Sequence, residues 1–200
     1  MDFFKKYSLY MLLAVGVLFT GCDDDDAPDP ENLPEVITDV TLIFTNTANS
    51  SDVVTASAQD PDGQGVQELQ ILGGITLSAN TTYTLTYEIF NNLETPGEDI
   101  GKEILDEDDE HQVFFSFTSD AFSSPTGNGN IDNAADPINY EDDDDNQNPV
   151  GLVTTWTTGA ALASGTFTAR LQHQPDVKTS TSTATDGDTD FDLTFDLVIQ

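Results

Sequence analysis

Apolar and polar side chains alternate with a period of two through most of the chain beyond residue 35. Val40, Leu42 and Phe44 share one parity while Thr41, Ile43 and Thr45 take the other, the pattern of a strand with one buried and one wet face. Tyr83, Leu85, Tyr87 and Ile89 repeat it against Thr84, Thr86, Glu88 and Phe90. Val113, Phe115 and Phe117 do so against Phe114, Ser116 and Thr118, and Phe167, Ala169 and Leu171 against Thr168, Arg170 and Gln172. The last run is the cleanest, with Phe191, Leu193, Phe195, Leu197 and Ile199 on one side and Asp192, Thr194, Asp196, Val198 and Gln200 on the other. Residues 53–58 and 66–72 are shorter and weaker, and Leu152, Thr154 and Trp156 alternate within VGLVTTWTTG. About eight such segments, separated by Gly, Pro, Asn and Asp, predict an all-β domain over residues 36–200. Each has one side to hide, so the expected fold is an antiparallel β-sandwich of immunoglobulin-like type.

Only residues 98–109 break this period. Ile100 and Ile104 lie one helical turn apart among acids, which fits either a short helix or an acidic loop. Residues 120–149 carry few apolar side chains and a carboxylate run from Glu141 to Asp145. Connections longer than about 12–15 residues tend to be functional or disordered, so the expectation is disorder in the middle, or order that depends on a bound cation.

The formal net charge is −32, from 37 acids against 5 bases. Such a surface repels phosphate backbones and argues against nucleic acid as a partner. With 37% hydrophobic residues, including 12 Phe, the chain still has material for a core, so it is not wholly disordered.

The N-terminus has a separate logic. Lys5 and Lys6 precede an apolar run over residues 7–20, followed by Gly21 and the single cysteine, Cys22. The run is shorter than the roughly 20 residues that span a bilayer and reads as a signal peptide, residues 1–21. Phe19-Thr20-Gly21-Cys22 resembles the lipobox of bacterial lipoproteins. The resemblance implies cleavage before Cys22 and acylation of that residue, which would join the protein to outer-membrane lipid. Residues 22–35 then form an acidic tether. Asp23 to Asp26 resemble the export signal of Bacteroidota surface lipoproteins, implying display at the cell surface. Residues 36–200 are also similar to small Bacteroidota lipoproteins through a DPDGQG loop, DEHQVFF, TGxxxxGTFTxxLxHQP and TDFDLTF. Some of that group sit beside energised outer-membrane receptors, so an outer-membrane transporter is an implied partner.

Three constellations could carry chemistry. Asp60 and Asp62 in DPDGQG resemble the start of a calcium loop, although a plain Asp-Pro-Asp-Gly turn explains them as well. Asp186, Asp188, Asp190 and Asp192 alternate in TDGDTDFD, so a bound calcium or a fully wet edge must relieve their repulsion. The two histidines, His111 and His173, share the inward parity of their strands, one at a strand start and one at a strand end. Antiparallel pairing of those strands would bring both imidazoles to one end of the sandwich, where Glu107, Asp109 and Glu110 lie just before His111. That set suits zinc or copper, with two histidines capping the core rim as the alternative.

The chain lacks GxSxG, HExxH and a phosphate-binding Gly loop, so no enzymatic activity is expected. The leading expectation is a non-enzymatic lipoprotein, facing the cell surface or the periplasm, that binds a ligand or cation beside a transporter. The alternative is a structural or adhesive immunoglobulin-like module whose loops calcium stiffens.

Overall fold

A computed structural model describes residues 35–63, 68–93 and 95–200. The expected signal peptide, Cys22 and Asp23–Asp26 lie outside the described residues, as does the end of the DPDGQG loop.

The described residues form eleven strands and one short helix. In chain order these are β1 (Asp39–Asn46), β2 (Val53–Gln59), β3 (Gln70–Ile71), β4 (Ile75–Leu77), β5 (Thr82–Asn91), β6 (Glu98–Asp99), α1 (Ile100–Asp106), β7 (His111–Phe117), β8 (Phe122–Ser124), β9 (Thr154–Thr158), β10 (Leu162–His173) and β11 (Asp188–Ile199). One sheet runs β3-β2-β1-β5-β9-β8, with β6 paired to β5, and the other runs β4-β11-β10-β7. Taking β1, β5, β7, β8, β9, β10 and β11 as A to G, the layers contain the orders ABED and CFG of an immunoglobulin-like sandwich, with β2 and β3 added beyond β1, β6 on β5 and β4 beyond β11. The all-β sandwich is therefore the fold. It departs from the expectation in two respects. The strands outnumber the expected eight, and β4 pairs with β11 in parallel.

The alternation does what its parity implies. Val40, Leu42 and Phe44 of β1 are fully buried, as are Phe167, Ala169 and Leu171 of β10, and they face one another across the layers with Phe195 and Leu197 of β11. Trp156 is the hub. Its ring lies 4.9 Å from Phe122, 5.0 Å from Phe167 and 5.1 Å from Phe115 in edge-to-face contacts, each worth about 0.5–1.5 kcal/mol beyond area burial. Its indole N–H donates to Thr154 Oγ1 at 2.7 Å, so the largest side chain is buried without a polar cost.

The acid-rich segment over 98–109 resolves into a two-residue strand and a helix. Asp99 caps α1 by accepting from the Lys102 amide at 3.1 Å, and Ile100 and Ile104 are both buried. Two inward isoleucines one turn apart favour the helix over a loop.

Residues 120–149 are ordered, which sets aside the first of the two expectations, disorder in their middle, and the edge of β7 gives a reason. Strand β7 is the last in its sheet, and its outward backbone groups need partners. The Val113 amide donates to Val150 O at 2.7 Å and the Phe117 amide to Asn128 O at 2.8 Å. The Phe115 amide donates to Asn130 Oδ1 at 2.8 Å. Tyr140 Oη donates to Val113 O at 2.8 Å, and Phe115 O accepts from the Asn130 amide. The segment thus works as a substitute strand, and its Tyr140 Oη also accepts from Gln112 Nε2 at 3.4 Å on the outer face of β7.

Acids within this segment act as turn-formers. Asp142 accepts from the Gly151 and Val153 amides. Asp144 accepts from the Asn146 and Asn148 amides and pairs with Lys178 Nζ at 3.2 Å, with both side chains buried.

Candidate functional site

His111 opens β7 and His173 closes β10, and the antiparallel ladder places them directly opposite one another. Their rings stack, with centroids 4.4 Å apart and planes 4° from parallel. Both are buried, His111 completely. The chain entering β1 brings Glu35 against them. Glu35 Oε1 lies 3.1 Å from His111 Nε2, and Oε2 lies 3.9 Å from His173 Nδ1. One carboxylate therefore spans two imidazoles.

The remaining nitrogen of each ring is held by an oxygen. His111 Nδ1 is 3.0 Å from Glu107 O at the C-cap of α1. A carbonyl only accepts, so Nδ1 carries the proton and donates, which turns Nε2 toward Glu35. His173 Nε2 lies 3.4 Å from Glu110 Oε2, leaving Nδ1 toward Glu35. Outer oxygens that orient the far nitrogens in this way typically accompany metal-ligating histidines.

Asp190 completes the cluster through a bulge. The ladder between β10 and β11 pairs Leu171 with Phe191 and Gln172 with Thr189, so Asp190 is the extra residue. A bulge re-aims a side chain. Asp190 is driven inward beside buried Phe191, with its carboxyl fully covered and Oδ2 3.9 Å from His111 Nε2. No neighbouring N–H or hydroxyl donates to either Asp190 oxygen or to Glu35 Oε2, and a proton kept on Asp190 lets its carboxyl bond to Glu35 instead.

The electrostatics follow from this crowding. Burial and the Glu35 charge push the Asp190 carboxyl up to about 8. Burial would also raise Glu35, but the His111 hydrogen bond and the imidazole charges outweigh it and hold Glu35 down to about 2. Burial works against a charged His111, yet the bonds to Glu35 and to Glu107 O raise it above the ordinary histidine value.

One donor atom from each of Glu35, Glu107, His111 and His173 lies within 4.8 Å of the others. Two nitrogens and two carboxylate oxygens match the preferences of zinc or copper rather than calcium, which takes six to eight oxygens. As they stand, the parallel rings aim their in-plane lone pairs side by side. Coordination of one ion by both would turn one imidazole out of the stack.

The structure brings His111 and His173 together and gives Glu110 the outer position, holding the far nitrogen of His173. Glu107, one of the acids just before His111, also reaches the cluster, whereas nothing in the sequence pattern places Glu35 or the inward Asp190 there. Glu35 is 76 positions from His111, and the parity of TDFDLTF points Asp190 away from the core.

The acids expected to hold calcium are placed differently. Asp60 closes its own turn, its Oδ1 accepting from the Asp62 and Gly63 amides at 3.2 Å each. The positive φ of Gly63 (71°) fits that turn, which a side chain there would strain. Asp186 accepts from the Thr183 amide at 2.8 Å and from its hydroxyl at 3.1 Å. Asp188 is exposed, and Asp192 pairs with Arg170 Nη2 at 2.5 Å. The Asp186–Asp192 run therefore does not aim one way: a turn, an ion pair and a bulge divide it. Among the described residues, Asp60, Asp62, Asp186 and Asp188, and also Asp190 and Glu110, stand outside the group formed by Glu35, Glu107, His111 and His173.

No family model matches this chain, and no curated protein and no solved structure matches it.

Proposed function

We propose that this chain is a non-enzymatic, lipid-tethered sandwich that captures a transition-metal cation at the end of the domain formed by His111, His173 and Glu35. The observation that carries the reading is the set of buried oxygens to which no neighbouring N–H or hydroxyl donates, Glu35 Oε2 and both of Asp190, beside two imidazoles. Buried polar atoms are normally satisfied, and each orphan costs about 1–3 kcal/mol. A dication ligated by imidazole and carboxylate would offset that cost and take the place of the proton that Asp190 holds beside the Glu35 carboxylate.

The lipobox-like Cys22 and the acidic run after it support attachment to the outer membrane with the domain at the cell surface. A cation held there would be positioned for transfer to an outer-membrane transporter. The adhesive alternative gains nothing from Asp60 and Asp186, whose carboxylates close turns of the chain itself.

The test is calorimetric titration of zinc and of copper(II) into the wild-type chain and into His173→Ala. The wild type should bind one ion per chain and the variant should lose most of that affinity. Identical isotherms would overturn the reading.

A further inference from the structure

Glu35 belongs to the junction between tether and domain, and its place in the histidine cluster gives the site a second consequence. It stands thirteen residues beyond Cys22, a stretch that reaches at most about 45 Å when fully extended. Beyond it the chain is locked into the sheet: the Thr38 amide donates to Phe90 O at 2.9 Å, and Asp39 begins β1. The Glu35 carboxylate is the group that faces both imidazoles, one oxygen toward each. The other three members of the grouping come from the folded body: Glu107 from the end of α1, His111 from β7 and His173 from β10.

We infer that the captured cation is also a clasp, with Glu35 supplied by the tether as a direct ligand, so that loading the metal fastens the membrane-proximal chain to the end of the sandwich. The inference rests on the cation reading above and adds the structural consequence of Glu35 being one of the ligands. Without a metal, Glu35 meets the rings through one 3.1 Å contact to His111 and a 3.9 Å approach to His173. A metal bonded to Glu35 and both histidines would tie β7, β10 and the tether into one unit. Glu110, bonded to the far nitrogen of His173, and Glu107 O, bonded to that of His111, would act as positioning groups.

The experiment uses the full-length chain in detergent, stripped with chelator and titrated with zinc, with hydrogen–deuterium exchange followed over residues 30–40. The wild type should bind zinc, and exchange around residue 35 should slow on loading. Glu35→Gln should weaken zinc binding by at least about tenfold and abolish the slowing, while His173→Ala should lose binding outright. If Glu35→Gln binds zinc like the wild type while His173→Ala does not, the cation site stands and the clasp is overturned. If the wild type binds no zinc, the cation reading itself fails. Should Glu35→Gln not fold, Glu35→Asp takes its place. Its carboxylate is set back by one methylene, so zinc affinity should still fall, and an unchanged affinity would overturn the clasp.

Discussion

Asp190 stands 3.9 Å from His111 Nε2 with both of its oxygens buried and no N–H donating to them, because a one-residue bulge opposite Leu171 and Gln172 turns it into the sandwich. A strand without the bulge would present this carboxyl to water. The distortion and the site therefore share one cause, in keeping with the tendency of bulges to cluster at functional positions.

The first expected outcome is a pH dependence of stability. The folded-state pKa of Asp190 is about 8, against roughly 3.9 in an unfolded chain. Between those values the folded protein holds a proton that the unfolded chain has released, so stability falls as pH rises. His111 is also raised. Its contribution is complete below about 6.5 and is lost as pH climbs through its folded value. Glu35, lowered to about 2, contributes above its unfolded value of about 4.3 and loses its effect as pH drops toward 2. Chelator-treated protein should thus melt highest between about pH 4.5 and 6 and lose melting temperature toward pH 8. Asp190→Asn should flatten that descent. Melting curves across pH check it, and a rise in melting temperature from pH 6 to 8 would contradict it.

Tyr140→Phe should loosen the edge of β7. The hydroxyl donates to Val113 O and accepts from Asn130 Nδ2 at 2.9 Å, so its loss leaves buried groups unpaired at a cost of about 1–3 kcal/mol. Denaturant unfolding should show that loss, and amide exchange should accelerate at Val113 and Phe115. A change in stability without faster exchange along β7 would mean that the segment over 120–149 does not protect the edge.

Lys178→Met should be more damaging than any change to an exposed base. Lys178 pairs with Asp144 at 3.2 Å, and the two side chains are 1% and 0% exposed. Nζ also donates to Asp108 O at 2.5 Å. Removing Lys178 leaves the buried Asp144 carboxylate with only its Asn146 and Asn148 donors, so the cost should approach that of breaking a buried pair, about 3–5 kcal/mol. The double variant Lys178→Met/Asp144→Asn should recover part of the loss, and equal stabilities for single and double variants would remove the ion pair as the cause.

Cys22→Ala should move the protein from the membrane to the soluble fraction, because acyl chains on Cys22 are the proposed anchor. Replacing Asp23–Asp26 with Ala should leave it membrane-bound but shielded from protease added to intact cells. Retention of Cys22→Ala protein on membranes after carbonate washing would end the lipoprotein reading, and unchanged protease access for the Asp23–Asp26 variant would end the export reading.

Alternation by itself determined the sandwich, since a period of two with one apolar parity leaves few ways to bury about eight strands. It also put His111 and His173 on inward positions at opposite strand ends, which becomes a cross-strand pair once β7 and β10 run antiparallel. Tertiary structure alone decided the rest. The inward turn of Asp190 depends on a register shift between β10 and β11 that packing sets and parity cannot reveal. Glu35 joins the histidines because the entry to β1 passes the ends of β7 and β10, a proximity between residues 76 positions apart. The order in residues 120–149 comes from Asn130, Tyr140, Asp142 and Asp144 bonding to backbone and to one another. Composition counts these as polar and loop-like, whereas in the folded chain they satisfy an exposed strand edge and their own turns.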